Sequence, residues 1–84
     1  MITGTQFRGT LAPNQTQRWF TFNWSAAQHV IWEVVPTTAR PGAAEVDWDV
    51  ALERADDAHV TYWITISNLT NASVQIEARY AIAA

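Results

Sequence analysis

The alternation of apolar and acidic side chains across residues 45–54, EVDWDVALER, constrains the fold more than any other feature of the chain. Successive side chains of a β-strand point to opposite faces, whereas the 3.6-residue period of a helix would spread both sets around its circumference. The segment is therefore predicted to be a half-buried strand with one acidic face. Its apolar face, with Trp48 deep in the core, is formed by Val46, Trp48, Val50 and Leu52.

Five further segments carry strand patterns separated by turn residues, and no segment has a convincing helical pattern. They are residues 5–11, 17–24, 29–35, 60–67 and 74–82. The alternation predicts inward apolar faces for three of these strands, formed by Phe20, Phe22 and Trp24 in the second strand, by Val60, Tyr62, Ile64 and Ile66 in the fifth, and by Val74, Ile76, Ala78, Tyr80 and Ile82 in the last. About six short strands predict a small all-β fold, an antiparallel β-sandwich of the jelly-roll or immunoglobulin-like kind without substantial helix.

Length and composition exclude several classes of protein. The 84 residues, 1–84, are the length of a single domain. There is no Cys, which excludes disulfides and zinc–thiolate sites. A net charge of −3, with no Lys, argues against binding to nucleic acid. No apolar run reaches the roughly 20 residues of a transmembrane helix.

Two tryptophans are predicted to lie on the polar faces of their strands, Trp19 in the second strand and Trp63 in the fifth. Exposed rings beside short hydrogen-bonding side chains are typical of a sugar-binding surface, where the ring stacks on a pyranose and the polar groups bind its hydroxyls. The predicted glycan-binding residues are Trp19, Trp63, Gln17, Thr21, Asn23, Thr61 and Thr65.

Two alternatives stay open for the same two tryptophans. Their face docks a protein partner or another copy of the chain, because Trp is enriched among the residues that anchor interfaces. Alternatively, a β-bulge changes which side chains point inward, and both rings belong to the core.

The acidic residues form a second candidate site. Carboxylates at alternate positions of a strand face the same way, and calcium prefers oxygen ligands. We therefore predict that Asp47 and Asp49 bind calcium together with Asp56 or Asp57 from the following turn. The alternative is a solvated face that pairs with neighbouring Arg residues. No other cofactor is expected.

Catalysis is not expected. No serine lies in a nucleophile-elbow context, and the two His residues lack a patterned third metal ligand. Glu33 and Glu77 are candidate paired carboxylates, but a sheet structure of this size leaves little room for a cleft.

Four short motifs occur in an order that resembles a known family. They are GTL at residues 9–11, WFTF at 19–22, DWDVAL at 47–52 and YWITI at 62–66. Their order is similar to that of the bacterial prepeptidase C-terminal domain family, which has a G-T-L opening, a Y-x-F strand, a D-x-D-L segment and a closing Y-x-V strand. Val50 stands where the family prefers Leu, and the chain has only three Gly where the family has glycine-rich turns.

The resemblance implies a jelly-roll-like accessory domain of a larger secreted bacterial hydrolase, with a substrate-binding or localising role. A secreted or cell-surface location would follow from it. Together with the residue patterns, it predicts a non-catalytic, lectin-like module that binds a glycan. The alternative prediction is a structural interaction domain that docks or forms a homo-oligomer through the same face.

Overall fold

The computed structural model describes residues 1–83, which form six β-strands in two antiparallel three-stranded sheets. The predicted all-β sandwich is confirmed, and the described residues contain no helix. The strands are β1 (Ile2–Leu11), β2 (Thr16–Ser25), β3 (His29–Pro36), β4 (Val46–Arg54), β5 (His59–Asn68) and β6 (Val74–Ala83).

The chain has the topology of a long β-hairpin, with β1–β3 in one arm and β4–β6 in the other, folded over into two stacked sheets. The first sheet has the order β1-β6-β3, and the second has the order β2-β5-β4. The first strand pairs with the last and the second with the fifth, which is the nested pairing of a jelly roll. Each sheet therefore has one central strand, β6 or β5, and two edge strands.

The core lies between the two central strands. The predicted apolar faces of β5 and β6 are confirmed, since Ile64, Ile66, Val74 and Ile76 are almost fully buried. These alternate residues stand on facing sides of the two sheets, where burial of apolar surface is the main stabilising term. Leu11 of β1 joins them at the same end of the sandwich.

An aromatic cluster completes the other end of the core. Its rings meet edge to face, with centroid distances of 5.3 to 6.1 Å. Such pairs are worth about 0.5–1.5 kcal/mol each beyond their buried area. Burial also raises the pKa of Tyr62. The cluster consists of Trp24, Trp32, Tyr62 and Tyr80.

Buried Asn68 connects two turns beneath the core. Its side-chain Nδ2 donates to the carbonyl oxygens of Leu11, Ala12 and Ala72, and its Oδ1 accepts from the amide and hydroxyl of Thr70. The amide is satisfied in a site from which water is excluded, so it fixes the β1–β2 and β5–β6 turns relative to each other.

The predicted faces of β2 are wrong for residues 17–22 and right for Trp24, which packs against the core as expected. Trp19 is paired with Ile64 and packs against the core, whereas Phe20 is 57% exposed. The register shifts between Thr21 and Trp24, where Asn23 has a φ of 64°. A β-bulge inserts an extra residue into one strand, so both Trp19 and Trp24 point inward although an odd number of positions separates them.

The predicted deep burial of Trp48 is also wrong, although its face is right. Trp48 is paired with core residue Ile66 and so shares the inner side of the second sheet. It is nevertheless 37% exposed, and Leu52 is 62% exposed. Both side chains are exposed because β4 is an edge strand that the first sheet covers incompletely.

Candidate binding face

The outer face of the second sheet carries three aromatic rings side by side. Cross-strand partners share a face, and Phe20 of β2 is the partner of Trp63 of β5, which in turn is opposite Ala51 of β4. Phe22 follows Phe20 along β2 and lies 62% exposed. We call Phe20, Phe22 and Trp63 the aromatic platform.

The rings of the aromatic platform are close together and moderately tilted relative to one another. The centroids of Phe20 and Trp63 are 5.1 Å apart with an angle of 30° between the planes. Those of Phe20 and Phe22 are 6.2 Å apart at 29°. Rings at these distances and angles pack against one another, so the three side chains form one contiguous apolar patch on the sheet face.

Polar groups hold the Trp63 ring in place. Its Nε1 donates to Oε1 of Glu53 at 3.0 Å. The guanidinium carbon of Arg18 lies 5.9 Å from the ring centroid, within the range of a cation–π contact, and Nε of Arg18 donates to Oγ1 of Thr65 at 3.3 Å. The ring is therefore fixed between a cation on the β2 side and a carboxylate on the β4 side.

The structure brings together only part of the predicted glycan-binding set. Thr61, Trp63 and Thr65 share the outer face of β5, but Thr61 is buried there. The other four residues belong to β2 and lie elsewhere. Gln17 and Trp19 are on the inner side of that strand, Asn23 is in the bulge, and buried Thr21 accepts hydrogen bonds from Gln6 and Trp24.

Phe20 and Phe22 are the residues that sequence reasoning missed. Both were expected in the core because they alternate with polar residues in WFTFNW. The available signal was Asn23, since Asn tolerates the left-handed backbone that a bulge requires better than most residues. A bulge at Asn23 places Phe20 and Phe22 outside and Trp19 inside, as observed.

The four aspartates of the predicted calcium site lie in two places. Asp47 and Asp49 are on the outer face of β4, opposite Ser67 and Thr65. Asp56 and Asp57 stand in the turn beyond the other end of that strand. Within residues 1–83, no group of three or more His, Asp or Glu side chains is placed to hold a metal ion. Calcium binding stays a prediction.

Asp56 has a structural role in the β4–β5 turn. Its Oδ1 accepts from the backbone amides of Ala58 and His59, each at 2.8 Å, and lies 3.0 Å from Nδ1 of His59. The amide of Ala58, followed by the His59 side chain, lowers the pKa of the Asp56 carboxyl. The turn between the strands is therefore closed by this side chain.

The outer face of the first sheet is of a different character. It contains a shallow hollow of about 400 Å³ between Thr3, Ile31 and Ala81. Nearby, Glu77 forms ion pairs with Arg79 and Arg8, and these arginines, Arg79 first, lower its pKa. A general acid requires a raised pKa, so this environment is unlike that of a catalytic acid at neutral pH.

Comparisons of the chain with protein-family models, with curated proteins and with solved structures find no match. The resemblance to the prepeptidase C-terminal domain family therefore stays a prediction. Among the described residues there is no helix with the length and apolar character needed to span a membrane.

Proposed function

We propose that this domain is a non-catalytic module that binds a carbohydrate on the aromatic platform. The observation that supports the proposal best is the contiguous patch of three aromatic rings on one sheet face, in which Phe20 and Phe22 are exposed and Trp63 is half-buried. Soluble domains seldom leave large apolar side chains exposed as a contiguous patch unless the patch binds something.

The chemistry of the surrounding side chains favours a sugar. A pyranose with equatorial substituents presents axial C–H groups that stack on aromatic faces, while its hydroxyls need donors and acceptors around the rim. Arg18 supplies donors, Glu53 supplies acceptors, and Thr65 supplies both. A row of rings suits an extended oligosaccharide in which successive units present the same flat face.

A second function is favoured by the two phenylalanines. Phe20 and Phe22 are 57% and 62% exposed and carry no polar atoms, which is typical of residues that anchor a protein interface. In this second proposal the aromatic platform docks a protein partner or another copy of the chain. The first proposal needs the rim hydrogen bonds, and the second needs mainly the apolar area.

The place of the domain within a larger protein belongs to the same proposal. The resemblance described above supports an accessory domain of a secreted bacterial protein, in which a sheet face that binds polysaccharide would hold a hydrolase near its substrate. This role needs no catalytic group in the domain itself.

A binding experiment with matched variants tests the proposal. Cellohexaose and chitohexaose serve as flat, β-linked probes and maltohexaose as a curved, α-linked one, each titrated calorimetrically after a glycan array has widened the choice. Trp63→Ala and Phe20→Ala should weaken binding at least about tenfold, because an aromatic anchor contributes roughly 2 kcal/mol or more. Ile31→Ala is the control, since Ile31 is 62% exposed on the outer face of the other sheet.

Sedimentation of the same proteins separates the two functions. A monomer that binds a glycan through Trp63 and Phe20 supports the first proposal. A stable oligomer that is silent to all glycans, and that dissociates in Phe20→Ala but not in Ile31→Ala, supports the second. Folded variants with unchanged binding and unchanged assembly would leave the aromatic platform without a role and refute both.

A further inference from the structure

The four edge strands of the sandwich differ in how they are protected against pairing with another strand. β1 has a register shift between Thr5 and Phe7, and β2 has its bulge after Thr21. β3 ends in Pro36, which has no N–H to donate. β4 pairs with β5 in continuous register and has no proline, glycine or bulge. Among the four edges, that of β4 is therefore the one that no bulge or proline interrupts.

The hydrogen bonds at both ends of β4 show which backbone groups are open. The amide of Leu69 donates to the carbonyl of Glu45, and the amide of Ala55 donates to the carbonyl of His59. Between these bonds the register is unbroken, so the odd-numbered residues exchange hydrogen bonds with β5. The N–H and C=O groups of Trp48, Val50 and Leu52 therefore point away from the sheet.

The same three residues also expose apolar side chains. Trp48, Val50 and Leu52 are 37%, 38% and 62% exposed on the inner side of the second sheet. A strand added at this edge would cover them with its own inward side chains while it satisfied their backbone groups. Backbone pairing of this kind supplies affinity, and alternate side chains supply specificity.

Charge decides against a second copy of the chain as the added strand. If the β4 strands of two copies pair antiparallel about a two-fold axis at Val50, Asp47 of one copy lies opposite Glu53 of the other. Centring it on Ala51 places Asp49 opposite Glu53, and centring it on Asp49 places that residue opposite itself. Like charges directly opposite each other are destabilising, so each of these well-overlapped registers is disfavoured.

We propose that β4 binds an extended peptide that alternates apolar and basic residues and adds to the second sheet as a fourth strand. Its apolar side chains would cover Trp48, Val50 and Leu52. Its basic side chains would face the acidic outer side of β4, formed by Asp47, Asp49 and Glu53. This site lies along the open edge of β4 and adjoins the aromatic platform at Glu53, and its occupant is distinct from a glycan.

A synthetic probe tests the charge pattern. A capped nonapeptide of alternating valine and lysine is titrated against the 15N-labelled protein, with alternating valine and glutamate as the control. The lysine peptide should bind, weaken as salt is added, and slow hydrogen exchange of the Trp48, Val50 and Leu52 amides. Equal binding of both peptides, or protection confined to other strands, would overturn the proposal.

Val50→Pro tests the backbone pairing. Proline removes an N–H that points to the open edge and leaves the β5 ladder intact, so it is tolerated on an edge strand. The loss of one hydrogen bond should weaken peptide binding about two- to twelvefold. Val50→Ala removes the same apolar side chain but keeps the N–H, so weaker peptide binding by Val50→Pro than by Val50→Ala reports the lost hydrogen bond. Glycan binding at the aromatic platform should be unchanged in both variants.

An N-methylated peptide provides the same test on the unaltered protein. Methylation of the alternate amides that face β4 should abolish binding, whereas methylation of the opposite set should not. Unchanged binding of the first peptide would overturn the proposal, even if Val50→Pro failed to fold. A wild-type dimer that Val50→Pro dissociates would identify a second copy, and not a basic peptide, as the occupant.

Discussion

Replacing Trp19 by alanine should destabilise the fold far more than replacing its neighbour Phe20. Trp19 packs against the core, stacks on Phe7 at a centroid distance of 5.3 Å, and lies over Gly9. Truncation of a buried Trp or Phe costs about 3–5 kcal/mol. Because Trp19 is only half-buried, the lower value of about 3 kcal/mol is expected.

The consequence for melting is large in so small a domain. A loss of about 1 kcal/mol lowers the Tm of a domain of this size by about 4–8 °C, so Trp19→Ala should melt about 12–24 °C below the wild type. Phe20→Ala removes a ring that is 57% exposed and in contact with Trp63. Its cost should stay below about 1 kcal/mol.

The assay is urea and thermal unfolding of the wild type and both variants, followed by circular dichroism. The two positions are adjacent in sequence and both carry aromatic rings, so the comparison reports mainly on which face of β2 points inward. If Phe20→Ala were less stable than Trp19→Ala, the inward and outward faces of β2 would be the reverse of those assigned. Phe20 could then not belong to the aromatic platform.

Three further changes probe other parts of the fold. Asn68→Asp should destabilise more than Asn68→Ala in urea unfolding at neutral pH, because both variants lose the donor to three carbonyl oxygens and only Asp places a buried negative charge beside them. Gly9→Ala should lower the Tm, because its Cβ would lie 2.9 Å from Cζ2 of Trp19. Asp56→Asn should make the free energy of unfolding depend less on pH between pH 5 and pH 2. The pKa of Asp56 is lowered from its ordinary value of 3.8, so its contribution to folding is present above that value and is lost as the pH falls through the lower folded-state pKa.

Strand positions and fold class were predictable because the polar and apolar residues alternate with the period of a strand. β5 shows this well, since Val60, Tyr62, Ile64 and Ile66 are all buried as predicted. The same rule correctly placed Asp47, Asp49 and Glu53 on the outer face of β4. The alternation within one segment is enough to predict a strand and its two faces, without knowledge of the other strands.

The candidate binding face was not predictable in full, for two physical reasons. A bulge adds one residue to a strand and reverses the faces on either side of it. In WFTFNW each alternating set contains an aromatic residue, so hydrophobicity alone does not show where the reversal occurs. The exposure of Trp48 depends instead on how far the first sheet extends over an edge strand, which is a property of the packed sandwich.

The most direct test of the aromatic platform as the binding site is 19F NMR of the protein labelled with 5-fluorotryptophan. The chain has five Trp, and Trp63 alone lies on the outer face of the second sheet, while Trp19, Trp24 and Trp32 belong to the inner cluster and Trp48 lies at the β4 edge. Titration with a glycan that binds should move the Trp63 resonance and leave the other four in place. Binding that moves the Trp48 or inner resonances while Trp63 stays fixed would contradict the account.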